Sequence, residues 1–215
     1  FTMYGGKLVG NSQQKDAAVV YMNAPYSGGQ TIFNLYGGTI SGNTSYNDGA
    51  GVRNNAGTFN MYGGTISGNT VKTASSSSSA RGAGVYNNGT FTMTGGTITG
   101  NTASGSGNTG GGVYNGGTTM RVSGKVNITG NTGGNVYLAN GKTITIGTGG
   151  LDKSAKIGVT AQGLNATDRT YVIVATGANN GYYDNIFNDW SSSNEKWTST
   201  RVGDNVYLSY GPLHI

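Results

Sequence analysis

The chain contains no cysteine and a single histidine. Without thiols there is no disulfide framework, no thiolate nucleophile and no cysteine metal site. One imidazole, His214, is too few for a histidine zinc cluster, and its place near the end of the sequence makes it a poor base for a serine triad. Charge is scarce as well, at 10% of residues, and no segment reaches the ~20 apolar residues of a membrane-spanning helix. The net charge of +5 comes from 13 Lys and Arg scattered along the whole chain. A surface that tracks phosphates would cluster them with aromatics between, so neither nucleic acid nor membrane insertion is expected. Apolar residues nowhere follow a 3.6-residue period, which argues against helix.

Glycine is abundant instead, with 41 of 215 residues, and it recurs in a fixed pattern. Residues 59–70 read Phe-Asn-Met-Tyr-Gly-Gly-Thr-Ile-Ser-Gly-Asn-Thr, near copies begin at Phe1, Phe33 and Phe91, and a degraded copy begins at Met120. Within each copy, Phe and Met or Leu alternate with polar residues, the two-residue period of a strand with one apolar face. A Gly-Gly corner, a second short strand with one inward Ile, and a Gly-Asn corner follow. A second motif, as in Gly84-Val85-Tyr86-Asn87, supplies a third strand. Repeat spacings of roughly 26 to 32 residues fall in the range of solenoids.

Three short strands and three corners per repeat describe a coil of a right-handed parallel β-helix, in which each strand pairs with its equivalent one coil away. Residues 1–150 are expected to form the coils and residues 151–215 the last irregular coils and a C-terminal cap. The Ser-rich stretch after Thr70 reads as a loop. Because the sequence opens on the first letter of a repeat, further coils or modules of a longer parent chain are expected beyond it.

The paired motifs Phe-x-Met-x-Gly-Gly-Thr-Ile-Ser-Gly-Asn-Thr and Gly-x-Gly-Val-Tyr-Asn, over residues 1–142, resemble the parallel β-helix repeats of large surface proteins of gut Firmicutes and bifidobacteria, within the pectin-lyase-like superfamily. The resemblance implies an extracellular, bacterial cell-surface setting and an adhesin-like role. Enzymes and plain stalks share that superfamily, so it does not by itself imply catalysis.

Four outward-facing features are candidates for function. Asp16 and Asp48 precede the third strand of adjacent coils at equivalent positions, roughly 4.8 Å apart along the stack, close to the carboxyl separation of a retaining glycosidase. A carbohydrate-active enzyme is therefore one alternative; the competing expectation is that Asp48 pairs with Arg81 in the next coil. Thr39/Ser41, Thr65/Ser67 and Thr97/Thr99 form a hydroxyl array of the kind that an ice-binding face presents, and they equally suit an ordinary β surface. Asn11, Asn43, Asn69, Asn101 and Asn131 read as a structural amide ladder. The residue after the inward Val of each third strand, namely Tyr21, Arg53, Tyr86, Tyr114 and Tyr137, must point outward. That column is expected either to brace the sheet or to bind glycans, with sugar faces on tyrosine and Arg53 donating to an acidic sugar. The reading preferred on sequence is a non-catalytic spacer and adhesion module with host or cell-wall glycans as partners. No metal or cofactor is expected, since the Gly-Gly corners lack the aspartates of a calcium β-roll.

Overall fold

The computed structural model describes residues 1–13, 18–25, 28–73, 80–104, 109–162, 171–177, 186–188 and 197–210. They form an all-β parallel solenoid of about five turns, consistent with the right-handed β-helix expected. Among the described residues the repeat-to-repeat pairings are parallel and follow the motif, with register shifts at the first corner between Met93 and Gly95 and between Val122 and Gly124. Phe33 pairs with Phe59 and Phe59 with Phe91 on the first sheet; Ile40, Ile66 and Ile98 align on the second; Val52, Val85, Val113 and Val136 align on the third. Thr90–Thr99 and Thr119–Ile128 run through the first corner without a break, so that first and second sheets merge there.

A short additional ladder lies just past the Gly-Asn corner, where Ser12–Gln13, Thr44–Ser45, Thr70–Lys72 and Thr102–Ser104 pair in parallel. Two or three polar residues per coil carry too little alternation to announce a strand in sequence. Its inward side chains, with Ala50, Ala80 and Ala83, build a small satellite core around Val71 and Ala103.

The main core consists of columns. Phe1, Phe33, Phe59 and Phe91 stack at 4.9–5.2 Å between centroids with planes within 10° of parallel. Each fully buried Phe, Ile or Met contributes roughly 1.5–3 kcal/mol, and a coil holds about four, so coils are stable only by stacking. Such close stacking dictates glycine at two kinds of corner. A Cβ on Gly38 (φ 90°) would lie 2.6 Å from Gly6 O, and one on Gly84 would lie 2.6 Å from Gly112 O.

Parallel pairing continues beyond residue 150. Lys156–Ala161 bends to pair with both Asn127–Ile128 of the second sheet and Val136–Leu138 of the third, and Ile186–Asn188 pairs onto it in turn. The pattern then reverses: Asn205–Tyr210 runs antiparallel to both Tyr171–Thr176 and Trp197–Val202.

Candidate functional site

Two amide ladders hold the coils at fixed height. In the expected one, Asn43 Nδ2 donates to Asn69 Oδ1 at 2.8 Å, Asn69 to Asn101 at 2.8 Å and Asn101 to Asn131 at 2.9 Å. Each of these oxygens also accepts the backbone N–H of the asparagine below, and each amide also donates to a backbone carbonyl, such as Asn69 Nδ2 to Ile40 O at 3.0 Å. The second ladder, unassigned on sequence, runs along the third sheet from Asn54 to Asn87 to Asn115, at 2.9 and 2.8 Å. Its signal was the Asn closing each Val-Tyr-Asn triplet. These asparagines alternate with the outward residue and so face inward with the Val, all essentially buried. Below Asn54 the register places Met22, so Asn54 Oδ1 ends the ladder buried and without a hydrogen-bond partner.

The Tyr/Arg column forms in the expected register, Tyr21 to Arg53 to Tyr86 to Tyr114 to Tyr137. Its exposure is uneven: Tyr21 is 47% exposed but Tyr86 only 9%. Ring centroids of Tyr86 and Tyr114 lie 5.4 Å apart with planes at 2°, and those of Tyr114 and Tyr137 5.7 Å apart at 10°, so these rings turn their faces to one another. Arg53 sits between Tyr21 and Tyr86, its Cζ 5.6 and 5.8 Å from the two centroids. Arg81, reaching in from the preceding corner, caps Tyr86 and Tyr114 at 5.2 and 4.8 Å. Most apolar ring surface in the upper column is thus already occupied. The lower end is different, since Asn55 Nδ2 donates to the Tyr21 hydroxyl at 3.0 Å and Arg53 Nε donates to Asn55 Oδ1 at 3.1 Å.

Asp48 is 5% exposed and bound by Arg81 on both oxygens: Nη2 to Oδ2 at 2.9 Å, Nε to Oδ1 at 3.1 Å, and the Arg81 backbone N–H to Oδ1 at 2.9 Å. Burial opposes the Arg81 charge, but the hydrogen bond and charge of Asp48, helped by Tyr86 and Tyr114, outweigh it and raise the guanidinium pKa. Burial also raises Tyr86 and Tyr137, with Asp48 and Tyr114 adding to the first and Tyr114 to the second, while Arg81 and Arg53 pull Tyr86 back. Asp16 and His214 lie outside the described residues.

The hydroxyl array is in register over three coils, Thr39, Thr65, Thr97 and Ser41, Ser67, Thr99, bounded by Lys7 and Val9 below and by Asn127 above. Its members are half-buried. A further aromatic ladder was missed on sequence because its members precede the Gly-Gly corner and break the strand's alternation. Tyr4, Tyr36 and Tyr62 stack at 5.1 and 4.5 Å and are 77%, 46% and 43% exposed.

Among the described residues no group of three or more His, Cys, Asp or Glu is placed to hold a metal ion, and no helix is long and apolar enough to cross a membrane. Set against protein-family models, curated proteins and solved structures, the chain has no significant match in any of the three.

Proposed function

We propose that this chain is a rigid, non-catalytic spacer and adhesion module of an extracellular bacterial cell-surface protein, and that it contacts glycans at the lower end of its Tyr/Arg column. The repeat motifs' resemblance to β-helix surface proteins of the pectin-lyase-like type motivates the setting. The observation that carries the contact site is the Tyr21–Arg53–Asn55 group. There Tyr21 is 47% exposed, the Arg53 guanidinium lies 5.6 Å from its ring centroid, and Asn55 donates to its hydroxyl. A sugar's apolar face can pack on the exposed part of Tyr21, and the positive charge of Arg53 against the same ring favours an acidic sugar. Tyr86, Tyr114 and Tyr137 brace the sheet beneath it.

A glycan array with Tyr21→Ala and Arg53→Ala tests this. Binding should fall with either change and persist with Tyr86→Ala once folding is verified. Binding that ignores both changes, or none to any glycan, sinks the reading. The enzymatic alternative loses support from the ion pair, since Asp48 is buried and both of its oxygens are bound by Arg81. A second reading, an ice-binding face, is favoured only by the registered hydroxyl rows. Absence of thermal hysteresis removes it.

A further inference from the structure

The corner between first and second sheets carries an exposed aromatic ladder that ends beside a basic cleft. Tyr4, Tyr36 and Tyr62 face one another up the corner, but in the coil above Tyr62 the equivalent residue is Thr94, and the stack stops. The upper face of Tyr62 therefore meets a small side chain instead of another ring. In the coils above, starting two residues past Thr94, lies a cleft of about 380 Å³ lined by Gly96, Thr97, Lys125, Asn127, Ser154 and Lys156. Lys125 pairs in register with Gly95 at the corner and Lys156 with Asn127, two residues farther onto the second strand, so the two cations rise coil by coil in neighbouring columns. At about 4.8 Å per coil, they stand roughly 10 and 14 Å above Tyr62, the reach of a short oligosaccharide.

The local charge favours an anion. Lys125, Lys153 and Lys156 are all exposed, and the one carboxylate beside them among the described residues, Asp152, is engaged by Ser154. Asp152 Oδ1 accepts from Ser154 Oγ at 2.6 Å and from Ser154 N at 2.8 Å. Those bonds, with Lys125 and Lys153 nearby, lower its pKa, so it stays ionised. Among the described residues, three lysines against one aspartate leave a net charge of +2 at this corner. Thr97 supplies a hydroxyl. Asn127, whose Oδ1 accepts from Thr129 Oγ1 at 2.9 Å, keeps two N–H donors.

We infer that this corner, from Tyr62 to Lys156, is a binding site for an acidic oligosaccharide lying parallel to the solenoid axis. One sugar ring packs on Tyr62, and carboxylate or sulfate groups on following sugars meet Lys125 and Lys156. The inference rests on the glycan-binding reading above but places the ligand on a different face and requires it to be charged.

Binding of labelled hyaluronan hexasaccharide, its carboxyl-reduced form and a chondroitin sulfate hexasaccharide, at low and moderate salt, decides the matter. Lys125→Ala with Lys156→Ala should weaken the acidic ligands about tenfold or more, and the carboxyl-reduced form should not bind. Tyr62→Ala should weaken them about threefold or more without altering the salt dependence. Lys7→Ala with Lys72→Ala, removing two exposed cations elsewhere, should change little. Equal loss from both lysine pairs means diffuse attraction to a basic protein and overturns the site. Loss confined to Tyr21→Ala or Arg53→Ala also overturns it while supporting the third-sheet column. No binding to either acidic ligand overturns it too and leaves the column to be judged on the array.

Discussion

The guanidinium of Arg81 lies beside the Tyr86–Tyr114 stack, its Cζ 5.2 and 4.8 Å from the two ring centroids, while gripping Asp48 one coil below, its Nη2 2.9 Å from Asp48 Oδ2. One side chain thus neutralises a buried carboxylate and covers two aromatic rings. Removing it, as in Arg81→Leu, strands Asp48. Breaking a fully buried pair costs about 3–5 kcal/mol, and with Arg81 34% exposed the expected loss is about 2–3 kcal/mol. Adding Asp48→Asn should recover part of that loss in urea denaturation, because no charge is then left unpaired. A double variant less stable than Arg81→Leu would contradict this account.

Asn69 accepts two hydrogen bonds and donates two, all away from water. Asn69→Ala leaves several buried groups unsatisfied, at about 1–3 kcal/mol each before relaxation, and should lower stability by about 3 kcal/mol or more. Asn11, at the solvent-exposed bottom of the same ladder, should cost under about 1 kcal/mol when changed to Ala. Equal effects at the two positions would contradict the burial argument.

Steric demand separates glycines at different places in the stack. Gly84→Ala places a Cβ 2.6 Å from Gly112 O, 3.1 Å from Asn101 Nδ2 and 3.1 Å from Ile98 Cγ2, so the coils must separate, and the expected cost is about 2–4 kcal/mol. Gly5→Ala meets nothing within 4 Å and should be tolerated. Melting temperatures of the two variants check the contrast.

Tyr86 and Tyr137 are raised above the ordinary tyrosine value by burial. A group that resists ionisation in the folded state contributes stability below its unfolded pKa, about 10, and loses that contribution as pH rises through the folded value. Stability should therefore be flat through neutral pH and fall above about pH 10. Absorbance titration at 295 nm should show a tyrosinate fraction delayed beyond the main transition and lost from the curve in Tyr86→Phe. If all tyrosines titrate together, the burial argument fails.

How far the residues alone determine this molecule follows from what a repeat can encode. Alternation of Phe and Met, one Ile per second strand and one Val per third decided which side chains face inward, because strand geometry allows only two directions. Equal spacing then decided that like stacks on like, which delivered the Phe columns, the Asn11 to Asn131 ladder and the Asp48–Arg81 contact. Direction and register are local consequences of period.

Exposure is not local, and there only the tertiary structure decided. Tyr86 points outward as its position requires, yet Arg81, five residues earlier around the corner, folds over it and takes it out of solvent. Tyr36 and Tyr62 sit at corners with no periodic signal and emerge as the open aromatic ladder because the Gly-Gly turn leaves nothing beside them. The basic cleft joins Lys125 and Lys156 from different coils, one of them from a segment where the repeat has decayed. Which outward residues meet a ligand depends on how corners and neighbouring coils cover them, and that coverage arises only when the stack is assembled.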